Sequence, residues 1–448
     1  MESTKHKVPQ ESTGRNVAKG VKMFLLKDGT HGYIDEEEKH HIKDRNFYLY
    51  RGHLTASIHS KKTKLVWLLG YSGRVIYKDG NPRNCQHCNI VAYDRKKDEL
   101  TTEFISDEEW EVLKRKAKEE GELNFVTQVI FIRTRSMSFP RYEYTQNKLL
   151  TDFYTLFHCL QKDLKNLNCG GALARQMMAD AMLMSRKRKF PSADEVWDNQ
   201  EYFKRLIRGM VNLNASKFNT NRINTTYACN FYKVSNFPPL VARNLYDYYF
   251  LSSIFEKRVL DPCSGFGGRL TGFWASKSCR SYIGIDPNPR LITPYQKMNQ
   301  WFYENTKSAF DFEKEVRMIQ ACAEDFDYST IEPVDIIFTS PPYFDLEIYG
   351  EEKEQSCIRY PSIEEWTHKF LLKMIEKCVE CLKDEGILAI NIKQSDQWKY
   401  PTIDLMIQKV TSEEVGLTLK ETLYLPLNLR PGAKKEKSRE PIYIFARM

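Results

Sequence analysis

The chain has 448 residues, of which 42% are hydrophobic and 28% charged, and its formal net charge is +8. This length allows two or three domains with sizeable cores. No secretory h-region and no apolar run of about 18 residues appears in the sequence, and the 11 cysteines are scattered and odd in number. These features exclude a membrane-spanning chain and a disulfide-stabilised scaffold, and they predict a soluble cytoplasmic protein with reduced thiols.

The positive charge is concentrated towards the N-terminus. Residues 1–230 hold 39 Lys and Arg against 28 Asp and Glu, a balance of +11, whereas the remainder holds 28 against 31, a balance of −3. Within residues 41–97 the counts are 12 basic and 3 acidic. Such a bias indicates a surface for nucleic-acid phosphates, and a solvated basic face without a partner is the alternative.

Strands and a helix are predicted over residues 48–58 and 64–69, followed by a β-hairpin. Asp79-Gly80 supplies a turn, and Asn81-Pro82 and Asn84 supply a polar loop after it. A β-hairpin that merely carries an Asp-Gly turn is one interpretation of this segment.

The same residues also carry a resemblance. Tyr77-Lys-Asp-Gly-Asn-Pro-Arg-Asn84, with Asn89-Ile90 after it, resembles the hairpin and helix of HNH endonucleases. The metal-binding and general-base residues that the resemblance implies just before the turn are replaced by Ile76 and Tyr77. The resemblance therefore implies an inactive module that holds DNA.

A zinc site is one interpretation of Cys85-Gln-His-Cys88, a Cys-x-x-Cys pattern. A structural zinc would need two further ligands, from His53, His59 or elsewhere. Reduced thiols without metal are the alternative, and we assign no metal ligands.

Helices are predicted for most of residues 106–230. Ser106 is a candidate N-cap for a helix over Asp107–Glu120, and helical spacing continues over 149–184 and 194–213. The basic run Ser185-Arg-Lys-Arg-Lys189 separates two of these stretches. It either contacts DNA or is a solvated linker.

A glycine-rich turn follows a predicted strand over residues 257–261. Gly265, Gly267 and Gly268 allow a ligand to approach the backbone closely. Asp286 ends the next strand, where its carboxylate can accept from ribose hydroxyls, and Glu324-Asp325 follow a third strand over 316–322.

A fourth strand over residues 334–338 ends in Ser340-Pro-Pro-Tyr343. Two prolines forbid both ladder bonding and entry into a helix, so the chain leaves the sheet there. The carbonyls of Ser340 and Pro341 can then project as acceptors beside the Tyr343 ring. Fixed acceptors beside a planar ring suit a nucleobase that carries an exocyclic amine.

In this order, the motifs resemble the S-adenosylmethionine-dependent DNA amino-methyltransferases, which methylate N4 of cytosine or N6 of adenine. The resemblance covers residues 236–448. It implies an α/β fold, a Rossmann-like, seven-stranded class I methyltransferase domain, which residues 417–425 and 441–447 close as an antiparallel pair. Residues 382–391 are predicted to be a helix end and a fifth strand.

The resemblance also implies roles for individual residues, with S-adenosylmethionine as cofactor and DNA as partner. The base, flipped out of the duplex, would meet the catalytic motif. Asp286 would hold the ribose, Asp325 would lie near the cofactor adenine, and Phe237 would contact its methionine end. The implied catalytic residues are Ser340, Pro341, Pro342 and Tyr343, and the implied cofactor-binding residues are Phe237, Asp261, Cys263, Gly265, Gly267, Asp286 and Asp325.

The predicted domains are a flexible N-terminus (1–20), a basic HNH-like α+β module (21–105), a mostly helical connecting region (106–230) and the methyltransferase domain (231–448). We expect target recognition in residues 1–230, with the loops 344–360 and 428–437 as helpers. Tyr343→Ala and Asp261→Ala are each expected to abolish transfer with the fold intact.

Several alternatives stay open. The same motifs would suit an RNA or protein-amide methyltransferase, and a noncatalytic DNA-binding subunit or an active endonuclease are further alternatives. Serine at the first motif position favours cytosine N4 over adenine N6. The combination of modules suggests a bacteriophage or mobile-element gene acting in a bacterial cytoplasm.

Overall fold

The computed structural model describes residues 20–159, 169–231, 233–249, 256–310, 312–426 and 439–447. The chain forms two compact units that divide between Arg95 and Lys96. The predicted helical region and the predicted methyltransferase domain belong to the same unit by this division. The predicted flexible N-terminus, residues 1–20, lies almost entirely outside the described residues, as does the predicted helper loop 428–437.

The first unit consists of short antiparallel strands around a small core. Phe47, Ile34 and Leu65 are fully buried there. The strands pair as β1 with β2, as β4 with both β3 and β5, and as β6 with β7. Their bounds are β1 (Val21–Leu25), β2 (His31–Asp35), β3 (Tyr48–Tyr50), β4 (His53–Ile58), β5 (Lys61–Lys64), β6 (Arg74–Tyr77) and β7 (Ile90–Tyr93), and one helical turn spans Leu65–Leu68.

The second unit begins with a helical layer. Two strands, β8 (Glu99–Leu100) and β9 (Glu143–Tyr144), pair within it. The described helices of this layer, after a single turn at Arg95–Asp98, are Asp107–Glu119, Leu123–Thr134, Gln146–His158, Ala172–Met177, Ala179–Met184, Ala193–Asp198, Gln200–Asn212 and Thr220–Phe231.

Local sequence signals account for the ends of these helices. The Ser106 hydroxyl accepts from the Glu109 amide at 3.2 Å, so the predicted cap is confirmed. The helical spacing over 194–213 corresponds to two helices, because Asn199 is extended (φ −102°, ψ 120°) and its side chain caps the second of them. An Asn side chain that satisfies free amides favours such a break.

A seven-stranded sheet forms the centre of the second unit. Its strands are β10 (Lys257–Asp261), β11 (Cys279–Ile285), β12 (Glu315–Ile319), β13 (Val334–Thr339), β14 (Leu382–Asn391), β15 (Thr418–Pro426) and β16 (Arg439–Ala446). The order is β12-β11-β10-β13-β14-β16-β15, and β16 is antiparallel to both of its neighbours while the others are parallel. The predicted α/β, Rossmann-like seven-stranded fold is confirmed.

Some details of the sheet differ from the prediction. The third strand ends at Ile319 rather than residue 322. Residues 382–391 form one strand without a helix end, because Leu382 already pairs with Val334 and the preceding helix stops at Val379. The central strand β13 is buried at every position, as an apolar run in a parallel sheet requires.

Helices alternate with most strands of this sheet along the chain. One long helix runs from Ile363 to Val379, with a π-helical middle at Trp366–Leu372. The other helices are Pro239–Asn244 with a π-helical extension Leu245–Tyr249, Gly268–Ala275, Ile292–Thr306, Ser356–Arg359 and Thr402–Val410. No helix among the described residues has both the length and the apolar character that crossing a bilayer needs.

Candidate active site

A cavity of about 1260 Å³ opens at the carboxyl ends of the central strands. The chain order reverses between β10 and β13, and in open α/β sheets ligands bind at such a switch point. The predicted site residues that line the cavity are Phe237, Cys263, Gly265, Asp286, Ser340, Pro341, Pro342 and Tyr343. The residues missing from its wall are Asp261, Gly267 and Asp325.

The glycine-rich turn leaves room for a ligand at Gly265. This residue has φ +60°, and a Cβ placed on it would meet nothing nearer than the Cys263 carbonyl oxygen at 3.9 Å. A Cβ on Gly268, by contrast, would lie 2.0 Å from the Phe237 carbonyl oxygen. The first glycine therefore faces open space, and the last one allows the segment around Phe237 to pack closely.

Asp286 presents its carboxylate to the cavity. One oxygen accepts from the Gly265 amide at 2.9 Å, and the other accepts from the Asn288 amide at 3.0 Å. Burial raises the pKa of Asp286 to about 6. Each oxygen keeps a further lone pair, so the carboxylate can accept hydrogen bonds from hydroxyl groups of a ligand.

Asp261 lies beneath the turn and has no exposure to the cavity. Its carboxylate accepts from Arg269 Nε at 2.7 Å, from the Tyr282 hydroxyl at 2.6 Å and from the Thr339 hydroxyl at 2.9 Å. Both ion-pair partners are buried, with 0% and 4% exposure. Asp261 thus fixes the turn from below, and direct contact with a cofactor is not available to it.

Glu324 lines the cavity where Asp325 was predicted to do so. Asp325 is 45% exposed, and its pKa is lowered by Lys373 and Arg359, which it contacts at 2.8 Å and 2.7 Å. Glu324 is 2% exposed and accepts from Arg359 at 2.5 Å. Glu324 and Asp325 are adjacent acids in the sequence, and the course of the chain after β12 brings Glu324 rather than Asp325 to the cavity.

The hydroxyl of Ser340 is oriented by a residue that the sequence did not single out. Ser340 Oγ donates to Asn391 Oδ1 at 3.2 Å, and Asn391 Nδ2 donates to the Pro441 carbonyl at 3.0 Å. Because a carbonyl can only accept, the Asn391 amide is fixed with its oxygen towards Ser340. The hydroxyl proton of Ser340 is thereby committed, and its lone pairs remain for a ligand. Asn391 is the last residue of β14, the parallel neighbour of β13, so both strands end at the same edge of the sheet. A polar residue at the end of the neighbouring strand is the sequence signal that could have identified Asn391.

Tyr343 and Phe344, which follow the two prolines, have different ring neighbours. The Tyr343 ring lies 6.4 Å from that of Trp398, and burial, together with the nearby Glu440 carboxylate, raises the pKa of its hydroxyl. Phe344 is 9% exposed, packs in the apolar core against Trp366 at 5.9 Å, and also borders the cavity. Its φ of +46° is uncommon for a non-glycine residue and indicates a constrained loop.

The basic run at residues 185–189 forms part of the cavity wall. Arg186 and Ile348 exchange two backbone hydrogen bonds of 2.8 Å. Lys187 contacts Glu347 at 3.1 Å, and Arg188 contacts Asp345 at 3.3 Å. The run is therefore held against the loop that follows the Pro-Pro-Tyr motif, which is not the behaviour of a solvated linker.

The polar loop of the first unit satisfies its own groups. Asp79 accepts from the Asn81 amide at 2.8 Å and from the Asn84 and Asn89 side chains at 2.8 Å and 2.9 Å. Tyr77, which occupies a catalytic position in the HNH resemblance, is buried with its hydroxyl 3.0 Å from His53 Nδ1. These contacts stabilise the hairpin between β6 and β7.

No described metal-ligand group contains the Cys-x-x-Cys pair. Cys85 is buried and donates to the Pro82 carbonyl at 3.7 Å, whereas Cys88 is exposed. The group of potential ligands found among the described residues consists of Glu38, His40 and His41. Neither His53 nor His59 joins the cysteines in such a group.

No protein-family model and no curated protein matches the chain. Among solved structures, the chain is similar to TrmN from Thermus thermophilus, with 13% identity over 47% of this chain and 49% of that one, at a TM-score of 0.29. It is also similar to the N-methyltransferase NodS from Bradyrhizobium japonicum (14% identity, 47% and 93% coverage, TM-score 0.29). A third is the precorrin-6y C5,15-methyltransferase from Geobacter metallireducens (13%, 48% and 91%, TM-score 0.31).

The chain thus spans about half the length of the Thermus protein. All three TM-scores are low, and we therefore infer function from the residues of the cavity alone.

Proposed function

We propose that the protein transfers a methyl group from S-adenosylmethionine to the exocyclic amino group of a DNA base, with N4 of cytosine favoured over N6 of adenine. The observation that carries the proposal is the hydrogen-bond chain from Ser340 through Asn391 to Pro441. It turns the serine lone pairs into acceptors at the wall of a cavity that also contains Gly265 and Asp286.

The residues of the cavity fit this cofactor. Gly265 leaves space for close approach of a ligand, and the Asp286 carboxylate has lone pairs for ribose hydroxyls. Phe237 and Glu324 line the same cavity. When bound, S-adenosylmethionine supplies a methyl group on a sulfonium, which is already activated for transfer.

Positioning of the amine is then the main task of the protein. Ser340 Oγ accepts a hydrogen bond from the amino group, which keeps the nitrogen lone pair available for the methyl carbon. As the N–C bond forms and the S–C bond breaks, the products are the methylated amine, S-adenosylhomocysteine and one proton, which passes to solvent. Asn391 is an amide and cannot take up a proton, so its function is to orient Ser340. Tyr343 stacks on the base, and the prolines hold the ring and the acceptor in a fixed relation.

A duplex must release the base for this geometry. Flipping costs roughly a few kcal/mol, which contacts to the flanking backbone must offset. Lys187, Arg188 and Lys189 line the cavity and offer cations for those phosphates. The basic composition of residues 41–97 supplies a second surface of the same sign.

Other acceptors would fit the same corner, since an amide nitrogen is also planar. The cations on the wall favour nucleic acid over protein, although they do not distinguish DNA from RNA. A noncatalytic subunit is disfavoured because Ser340, Asn391, Gly265 and Asp286 together retain a complete set of donors and acceptors at one cavity.

Mass spectrometry of nucleosides tests the proposal. The protein is incubated with isotopically labelled S-adenosylmethionine and either DNA or RNA, and Tyr343→Ala serves as the control. We expect label in methylated cytosine from DNA. Label in RNA alone would replace the substrate class, and no label in either, with no binding of S-adenosylhomocysteine, would refute the methyltransferase function.

A further inference from the structure

Lys233 is a cation on the cavity wall, and no carboxylate among the described residues forms an ion pair with it. Its ammonium donates to Asn224 Oδ1 at 3.3 Å and lies 5.8 Å from the centroid of the Tyr142 ring. No carboxylate oxygen among the described residues lies within 4.0 Å of its Nζ. An ammonium has three donors, so the described contacts leave two of them for a ligand.

The surroundings of Lys233 are unfavourable for a positive charge. Burial, together with the nearby Arg175 guanidinium, lowers the pKa of Lys233 to about 8. Arg175 itself donates to the Tyr144 hydroxyl at 3.1 Å. With this pKa the lysine is mainly charged near neutral pH. The side chain is partly buried, and a partly buried ammonium with no opposite charge beside it among the described residues is costly. Such a site is stabilised when an anion binds.

The Asn224 amide cannot act as that anion, and its own position is fixed. Its Nδ2 donates to the carbonyls of Pro140 and Thr220 at 2.9 Å and 3.1 Å. The oxygen is thus held towards Lys233 as a neutral acceptor. This arrangement orients the ammonium without neutralising it.

The chain direction after Lys233 leads to the glycine-rich turn. Asn236 donates to the Phe266 carbonyl at 2.8 Å and accepts from the Gly268 amide at 3.2 Å. The segment 235–238 therefore lies on the same turn as the open space at Gly265. Lys233 and this segment line the same cavity as Gly265 and Asp286, so an anion held by the ammonium would lie in that cavity.

We propose that Lys233 binds the carboxylate of the amino-acid end of the cofactor. The inference rests on the proposed function and adds to it a residue that selects cofactors with this anionic group. A phosphate of the nucleic acid is the competing ligand for the same ammonium. If the ligand is the carboxylate, cofactor binding depends on Lys233; if it is the phosphate, nucleic-acid binding does.

Calorimetry with two ligands separates them. S-adenosylhomocysteine carries the amino-acid end, and methylthioadenosine lacks it. We expect Lys233→Gln to weaken S-adenosylhomocysteine about tenfold or more while methylthioadenosine changes less than about twofold, because one charged hydrogen bond is lost. Lys233→Arg should restore part of the affinity. Lys118→Gln, at an exposed lysine outside the cavity, is the matched control.

Each other outcome overturns the inference. Equal losses for both ligands indicate a general structural role for Lys233. Unchanged S-adenosylhomocysteine binding with weaker DNA binding assigns the ammonium to a phosphate. If the unsubstituted protein binds neither ligand, the proposed cofactor itself is wrong, so the two failures are distinguishable.

Discussion

The two units of the chain each contain a polar loop built around an aspartate, and the two loops differ in what their polar groups contact. At Asp79, an amide and two asparagine side chains of the same loop satisfy the carboxylate. At Asp286, two amides hold the carboxylate while lone pairs remain towards a cavity. A loop whose groups satisfy one another stabilises structure, and a loop with groups facing a cavity can bind a ligand.

The same distinction separates Asp261 from Asp286 within one sheet. Asp261 is the last residue of β10 and Asp286 directly follows β11, yet Asp261 is fully buried among its three donors. Resemblance to a motif therefore indicates that an acidic residue has a role at the site. Its contacts show whether that role is to bind a ligand or to stabilise the turn.

The largest effect is expected for Asp261→Ala. The substitution leaves the Arg269 guanidinium buried without its partner, which typically costs about 3–5 kcal/mol. The sequence-based expectation of an intact fold therefore does not follow from this geometry. Urea unfolding measures the loss. Asp384→Ala, at a residue 94% exposed, should change stability by less than about 0.5 kcal/mol. A stable Asp261→Ala protein would contradict the buried-pair argument.

Tyr343→Ala tests the cavity as a base pocket. Stacking contributes roughly 1–3 kcal/mol per base, and misplacement of the reacting atoms by about 1 Å costs roughly hundredfold. We expect transfer to fall by about hundredfold or more, with S-adenosylhomocysteine affinity within about twofold. Single-turnover rates provide the measurement. Tyr202→Ala, at an exposed tyrosine, is the control, and comparable rates for the two variants would exclude Tyr343 from the pocket.

Asp79→Ala tests the other side of the comparison. Loss of the carboxylate leaves the asparagine side chains without an acceptor, so we expect the first unit to lose about 1–3 kcal/mol. Hydrogen exchange of the β6 and β7 amides reports this loss. Cofactor affinity should stay unchanged, and a matching loss of cofactor affinity would show that this loop is more than structural.

The pH dependence of cofactor binding tests Asp286. Its pKa of about 6 in the free protein means that the carboxylate is ionised above that pH and takes up a proton below it. A ligand hydroxyl donates to the ionised form, so affinity should fall with decreasing pH, about tenfold at one unit below the pKa. Calorimetry across this range checks it. Asp286→Asn should bind weakly with a flat profile; an unchanged slope would assign the titration elsewhere.

The smallest effect is expected for the basic run. Lys187→Ala with Arg188→Ala should weaken DNA binding about threefold to tenfold and reduce the salt slope by about two, if each side chain contacts one phosphate. Fluorescence anisotropy at several salt concentrations provides the slope. Lys116→Ala with Lys118→Ala is the control pair on the helix Asp107–Glu119. An unchanged slope would leave these cations as partners of Asp345 and Glu347 alone.

The fold was largely predictable because its signals are local. Apolar runs marked β10, β13 and the closing pair, and glycines and prolines marked where strands end. Asn199 shows where local reasoning was insufficient, since helical spacing continued across it while its side chain capped a new helix. The spacing of apolar residues does not show that an Asn side chain will bond to backbone amides, and in the structure that bonding ends one helix and begins the next.

By itself, the sequence determined which residue types stand at strand ends: the glycine turn, the acids and Ser340-Pro-Pro-Tyr343. Only the tertiary structure decided which of these residues stabilise the turn and which line the cavity. Asp261 is buried against Arg269. Glu324, and not Asp325, lines the cavity. Asn391 orients Ser340 from a neighbouring strand. These contacts join residues distant in sequence, and their directions depend on strand register and packing, which a local pattern does not contain.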